Sequence, residues 1–190
     1  MPTIEAEAPA GFRPLETPRL VLRRLELADV RMVERLAGAV EVARMTANVP
    51  HPYPSGLAER WIRSTHAPLA AGTSAQLGIA LKGEGTLIGA IALVRDAPGT
   101  GGQIGYWLGV PWWGEGYMTE ALGAMLDHGR AGMGLDHVWA QVFVANNASM
   151  RVLEKTGFEF MNEAEVDFPL RGGRRRVKRF ERRLVAAWTR

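Results

Sequence analysis

Apolar residues fall along this chain in two rhythms, and the change from one to the other marks out its elements. "LVLRRLEL" places Leu20, Val21, Leu22, Leu25 and Leu27 close together, which predicts a first strand over 20–27. Asp29 then precedes Val30, Val33, Leu36, Ala37 and Val40, spaced as one face of a helix, with the aspartate as its cap. Three prolines in "NVPHPYP" interrupt regular structure, and Ser55 is placed to cap a second helix carrying Leu57, Ala58, Trp61 and Ile62. From Gln76 the runs shorten. "QLGIAL" and "TLIGAIALV" flank "KGEG" as the arms of a hairpin, "APGTGG" is a loop, and "QIGYWLGV" is a further strand. Met118, Leu122, Met125 and Leu126 share one helical face over 118–130, and "GMG" ends that helix. "HVWAQVFV" has few charges and reads as a strand covered on both faces. "NNASMRVLEKTG" is a short helix with Asn146 or Asn147 as cap and Gly157 as terminator, and "FEFMNEAEVDF" and "RRRVKRFERRL" are the last two strands.

The predicted order is strand, two helices, three strands, helix, strand, helix, two strands. It describes a mixed α/β domain in which an antiparallel meander leads into parallel β-α-β units. Residues 1–16 read as a flexible lead-in and 17–190 as one domain without internal repeats.

Composition narrows the function classes. With 47% hydrophobic and 23% charged residues in 190, a sizeable core is available and global disorder is excluded. No run approaches the about 18 apolar residues a membrane span needs, and the first residues lack the positive start and apolar stretch of a secretory signal. The absence of cysteine excludes disulfides, thiolate metal sites and a cysteine nucleophile, and it fits a reducing cytoplasm. His51, His66, His128 and His137 include no helical i, i+4 pair, so no metal is expected. The net charge of +3 hides an asymmetry: Arg171–Arg190 holds nine Lys/Arg and only Glu181 as acid, leaving 14 bases against 19 acids in the first 170 residues. Such a run suits either a nucleic acid or a charged edge strand. Val177, Phe180 and Leu184 within it favour the strand.

"PWWGEGYMTEA" (111–121) carries the candidate chemistry. Gly114 and Gly116 sit between a strand and a helix, where unpaired N–H groups and a partial positive charge suit an anion. Neither a Gly-Lys-Ser/Thr nor a third glycine follows, since Thr119 stands there, so this is neither a Walker loop nor the full dinucleotide fingerprint. On its own the stretch reads equally as a phosphate cradle or a glycine-rich strand-to-helix turn. Glu120 falls in the first helical turn, where a carboxylate is favourable in any case.

"WGEGYMTEAL" followed one strand later by "NNASMRVLEKTGF", with "TPRLVLRRLELAD" near the start, resembles the GNAT superfamily of acetyl-CoA-dependent N-acetyltransferases. The similarity is greatest to its RimJ/RimL-like branch of ribosomal-protein alanine acetyltransferases, and it runs from about Thr17 to Leu184. It implies a single-domain fold with a mixed, mostly antiparallel seven-stranded sheet, about four flanking helices and a splayed central strand pair. It also implies that the backbone of Gly114, Glu115, Gly116, Tyr117, Met118 and Thr119 binds the coenzyme A pyrophosphate. The pantetheine arm would lie where the strand around Tyr106, Trp107, Leu108, Gly109 and Val110 parts from Val138–Val144. Asn146 and Ser149 match the family's N-x-x-S element, with Ser149 as candidate acid for the departing thiolate, and Arg151 follows on the same helix toward the coenzyme. A backbone N–H at Leu108 or Gly109 would hold the oxyanion.

The chain departs from the pattern at three places. Pro111 stands where many members have Gln or Arg, Leu153 where many have an acidic tyrosine, and Gln103 where a glutamate often serves as base. Ser149 is therefore preferred as acid, with a second helix cap as its other reading, and Asn146 reads as both cap and ligand contact. The base stays unassigned: Glu165, Asp167 and His51 are available but are also ordinary surface or turn residues. Trp107, Trp112 and Trp113 read as core or as the wall of an acyl channel. The acceptor is a protein N-terminus or a small amine, bound between the first two helices, "NVPHPYP" and the final hairpin, and the protein is a monomer or homodimer. A non-catalytic acyl-CoA sensor and a nucleic-acid-binding protein are the alternative functions.

Overall fold

The two rhythms resolve into one sheet with helices on both faces. The computed structural model describes residues 12–184. Among these are β1 (Leu15–Glu16), β2 (Leu20–Arg24), α1 (Val30–Ala37), α2 (Val40–Ala43), α3 (Leu57–Ala70), β3 (Ser74–Leu81), β4 (Leu87–Arg95), β5 (Gly101–Leu108), α4 (Tyr117–Ala131), β6 (His137–Phe143), α5 (Asn147–Lys155), β7 (Glu159–Phe168) and β8 (Gly173–Arg183). The eight strands lie in the order β1-β2-β3-β4-β5-β6-β8-β7. Only β5 and β6 pair in parallel; every other neighbour is antiparallel.

The architecture is the expected one, with an additional strand and an additional helix. The extra strand is β1, which pairs with Val21 and Leu22 and lies at the end of the expected lead-in; residues 1–11 fall outside the described part of the chain. The extra helix arises at Gly38–Ala39, where Ala39 turns extended (φ −60°, ψ 133°) and separates Val40 from the helical face begun by Val30. The first strand ends at Arg24 rather than Leu27, because Leu27–Asp29 winds into a 3₁₀ turn. Two expected caps differ as well. Ser55 does not cap α3; the residue before that helix is Gly56, and no side chain caps it. Asp29 stands at the start of α1, but its carboxylate turns back to accept the Glu26 N–H at 2.8 Å.

Each face of the sheet buries its own apolar cluster. Leu77, Ile79, Ile91, Leu93 and Ile104 pack with Leu122, Met125 and Leu126 of α4 and Leu153 of α5. Leu25 and Leu87 pack with Val33 and Ala37 of α1 and Ala58 and Ile62 of α3. Period-two alternation in β5 divides its aromatics between the two: Tyr106 packs against the first cluster and Trp107 against the second.

The 3₁₀ turn depends on Asp29, which is buried and bridges Arg23 through two hydrogen bonds of 2.8 Å. Burial alone would raise its carboxyl, but the Arg23 hydrogen bonds, the Glu26 N–H and the Arg23 charge outweigh it and hold the group below the usual aspartate range. A carboxyl held low in the fold stabilises the protein above its unfolded pKa, and that contribution is lost as pH falls through the depressed folded value. Asp29→Asn is thus expected to cost about 2 kcal/mol at neutral pH, the difference narrowing as pH falls below about 4. Urea unfolding of both proteins across that range checks it; a pH-independent difference would count against the charge as its source.

Candidate functional site

The site begins where a hydrogen-bond ladder stops. β5 and β6 pair only at Gly101↔His137, Gly102↔Val138 and Gln103↔Trp139, although β5 continues to Leu108 and β6 to Phe143. Beyond Gln103 the parallel pairing ends, so the strands part as the family resemblance implies. On its other side β5 stays fully paired with β4 through Gly89↔Leu108. Gly109 continues that pairing, donating its N–H to Ile88 O at 2.8 Å. In an antiparallel ladder the bonding direction alternates residue by residue, so the N–H groups of Tyr106 and Leu108 face the gap while that of Gly109 faces β4. Of the two backbone donors expected at the gap, Leu108 is therefore the one in position. Its carbonyl is taken by the Trp113 indole N–H at 2.7 Å.

At the open end of the gap the chain passes through a short 3₁₀ turn, Val110–Trp112, into the glycine turn and α4. Gly114 (φ 85°) and Gly116 (φ 79°) adopt the left-handed conformation that favours glycine. No side chain caps α4, so its first N–H groups, at Tyr117, Met118 and Thr119, have no intrahelical partner and no cap. Gly114, Glu115 and Gly116 are exposed, whereas the Met118 side chain is buried in the core and offers only its backbone. These features fit a phosphate group: free donors, a helix N-terminus, and no Cβ on two of the approaching residues.

The turn is anchored from an unexpected quarter. Glu120 accepts hydrogen bonds from Thr17 Oγ1 (2.6 Å), the Arg19 N–H (2.9 Å) and Arg19 Nε (2.7 Å). Arg19 also donates to Glu115 O at 3.0 Å and stacks on the Tyr117 ring at 4.4 Å. Burial would raise the Glu120 carboxyl, but the Thr17 and Arg19 hydrogen bonds and the Arg19 charge together lower it. Glu120 thus ties the glycine turn to the start of β2. "TPRL" and "TEA" are the sequence signals of this link; neither by itself says that the two meet.

On the other side of the gap, Asn146 caps α5 by accepting the Ser149 N–H at 3.1 Å, while its amide donates to Met45 O at 3.4 Å. Asn146 is the cap, and Asn147 is the first helical residue. The Ser149 hydroxyl meets no backbone N–H; its partner is the Tyr106 hydroxyl at 3.0 Å. Burial pushes the Tyr106 phenol up to about 12, against the opposing effect of its Ser149 hydrogen bond, so it stays protonated throughout the neutral range. Leu153 is fully buried in the core beneath α5, and Arg151 is exposed.

The remaining candidates lie on several elements around the gap. Arg171, in the turn between β7 and β8, donates to Thr46 O at 2.8 Å and to Val49 O, so the final hairpin holds the segment that leads into "NVPHPYP". His51 Nδ1 is bonded to Gly38 O at 3.0 Å. Glu165 and Asp167 lie on β7 opposite Arg176 and Arg174. The basic run forms β8, where Glu163 pairs with Arg176 and Glu181 with Arg179, so part of its charge is offset locally. Gln103 is exposed at the last rung before the strands part. Trp107 packs toward α1 and α3, Trp112 is partly buried, and Trp113 is largely exposed. No group of three or more potential metal ligands occurs among the described residues, nor is any helix there long and apolar enough to cross a membrane.

Residues 19–159 match the family described as "Acetyltransferase (GNAT) domain". A curated relative, an uncharacterized N-acetyltransferase p20 of Bacillus licheniformis, is 27% identical over 146 residues, covering 76% of this chain and 82% of its own. Among solved structures, the fold is similar to RimL, a ribosomal L7/L12 alpha-N-protein acetyltransferase in complex with coenzyme A (TM-score 0.81, 16% identity, 90% of this chain and 98% of that one). It is also similar to a spermidine N-acetyltransferase from Vibrio cholerae in complex with CoA and spermine (TM-score 0.74, 18% identity, 88% and 97%). With the family match spanning most of its length and the parted strands leading into the glycine turn, the chain belongs to the GNAT acetyltransferase family.

Proposed function

We propose that the chain uses acetyl-CoA to acetylate a primary amine, either a protein N-terminus or a small-molecule amine. The observation that carries this reading is the continuity of the gap with the glycine turn: β5 and β6 part after Gln103↔Trp139, and β5 then leads directly into Gly114–Thr119. The N–H groups of that turn would receive the pyrophosphate. The unpaired edge of β5 would bond the pantetheine arm alongside Trp107, Leu108 and Val110, and Arg151 would approach the coenzyme from α5. Acetyl-CoA supplies an acyl group already activated as a thioester. Leu108 N–H would stabilise the developing oxyanion, and Ser149 would give the departing sulfur its proton. The acceptor would enter where Arg171 and Asn146 hold the segment around Met45–Val49. RimL and the spermidine enzyme, whose names give a protein N-terminus and a polyamine, bracket the two acceptor classes.

Three measurements test the reading. Thiol release from acetyl-CoA is expected with at least one member of a panel of spermidine and alanine- or serine-initiated peptides; coenzyme binding without turnover on any acceptor would favour a sensor. Gly116→Val, which forces a branched residue into a left-handed conformation beside the proposed phosphates, is expected to abolish coenzyme A binding in calorimetry. Unchanged affinity would remove the cradle. Ser149→Ala is expected to slow turnover by about ten- to hundredfold at nearly unchanged coenzyme affinity, and a fully active variant would leave Ser149 no part in the chemistry.

A further inference from the structure

We infer that Tyr106 is a positioning residue for the proposed acid: its hydroxyl donates to Ser149 Oγ, directs the serine proton toward the departing sulfur, and stabilises the serine oxygen when that proton leaves. The inference rests on the reading of Ser149 as the acid and adds to it a partner that the N-x-x-S element does not contain.

The hydroxyl positions constrain the bond. Tyr106 Oη lies 3.0 Å from Ser149 Oγ and 3.4 Å from the Ser149 carbonyl oxygen. Tyr106 stands on β5 and Ser149 on α5, so the contact joins the elements on either side of the proposed pantetheine path. A hydrogen bond between two hydroxyls can run either way. If Ser149 donates to Tyr106, its only proton points away from the sulfur. If Tyr106 donates to Oγ, the serine proton is free; the Ser149 carbonyl oxygen, at 3.4 Å against 3.0 Å, is the more distant competitor for the phenol's single proton. Two features favour the second arrangement. A phenol is the stronger hydrogen-bond donor and the weaker acceptor of the two hydroxyls, and this one keeps its proton through the neutral range. Ser149 is also released from capping, because Asn146 Oδ1 already accepts the Ser149 N–H.

The step balances as follows. The amine nitrogen forms its bond to the acyl carbon and the carbonyl electrons move to oxygen. On collapse the C=O re-forms, the C–S bond breaks, and its electron pair goes to sulfur, which takes the Ser149 proton to become the coenzyme A thiol. No free serine anion forms: as its proton passes to sulfur, Ser149 Oγ takes up the proton shed by the acylated nitrogen, carried by water, with the Tyr106 O–H hydrogen-bonded to it throughout. Tyr106 itself is never deprotonated. Leu153 occupies the helical position at which many family members carry an acidic tyrosine; here a tyrosine hydroxyl arrives from the strand and acts through the serine.

A double-mutant cycle tests this, read as the single-turnover rate of acetyl transfer to whichever panel member releases thiol fastest. Tyr106→Phe keeps the ring and its packing. It is expected to lower the rate roughly three- to tenfold, with the coenzyme A affinity and thermal midpoint close to those of the parent protein. In the Ser149→Ala background the same replacement is expected to change the rate less than about twofold. Equal losses in both backgrounds would make Tyr106 a packing residue and overturn the inference, as would an undiminished rate for Tyr106→Phe alone. Should Ser149→Ala itself be fully active, the acid assignment falls and this inference with it. A slow Ser149→Ala beside an unaffected Tyr106→Phe removes only the inference.

Discussion

Three rungs of parallel pairing hold β5 to β6, and the site follows from their ending there. A strand edge in the middle of a sheet ordinarily finds a partner, because unpaired N–H and C=O groups away from water are costly. Here β5 keeps its full ladder to β4 while losing the one to β6, so the exposed edge is narrow, rigid and supported from behind. An extended chain that supplies its own donors and acceptors can take the missing strand's place. The commitment of Gly109 N–H to Ile88 O matters for the same reason, since it fixes the phase of the alternation and hence which backbone donors look into the gap.

Rigidity at the glycine turn comes from charge rather than packing. Two left-handed glycines give the turn its shape but lower its intrinsic order. Glu120 compensates by gathering Thr17, the Arg19 backbone and the Arg19 guanidinium onto one carboxylate, with Arg19 in turn reaching Glu115 O. Asp29 does the same for the 3₁₀ turn through Arg23 and the Glu26 N–H. In both places a carboxylate fastens an irregular segment to β2 or to the residues leading into it, within the antiparallel meander.

Most of the fold is legible in the sequence because burial imposes a period. The meander, α1, α3, α4, β6 and β8 have apolar repeats whose buried residues line the two clusters, whereas β7 is almost wholly exposed. The misreadings lie where short-range chemistry decides. Leu27 looks like the end of a strand until Asp29 bends the chain back to Glu26. Ser55 looks like a cap until Gly56 takes the position before α3. The glycine turn and the N-x-x-S element are legible as motifs, since they are local. The Glu120–Arg19 link, the Arg171 clamp and the Tyr106–Ser149 contact are not, because each joins residues far apart along the chain, and a tyrosine in a strand gives no sign of what its hydroxyl will meet.

That last contact changes how the loss of a helical tyrosine is understood. Leu153 leaves α5 without the phenol that the family resemblance places there. Yet the side chain at 153 points into the core, where a leucine packs at no polar cost, while the phenol of Tyr106 comes from the opposite wall of the gap to within hydrogen-bonding distance of Ser149. A serine hydroxyl alone is a poor acid in water, and its usefulness depends on how its proton is aimed and how its oxygen is held. A donor that remains protonated at every working pH supplies both without itself titrating. On the proposed reading, the arrangement would divide between two elements what one tyrosine on a helix would do alone, and proton delivery would then depend on the alignment of β5 with α5 rather than on the identity of any one side chain.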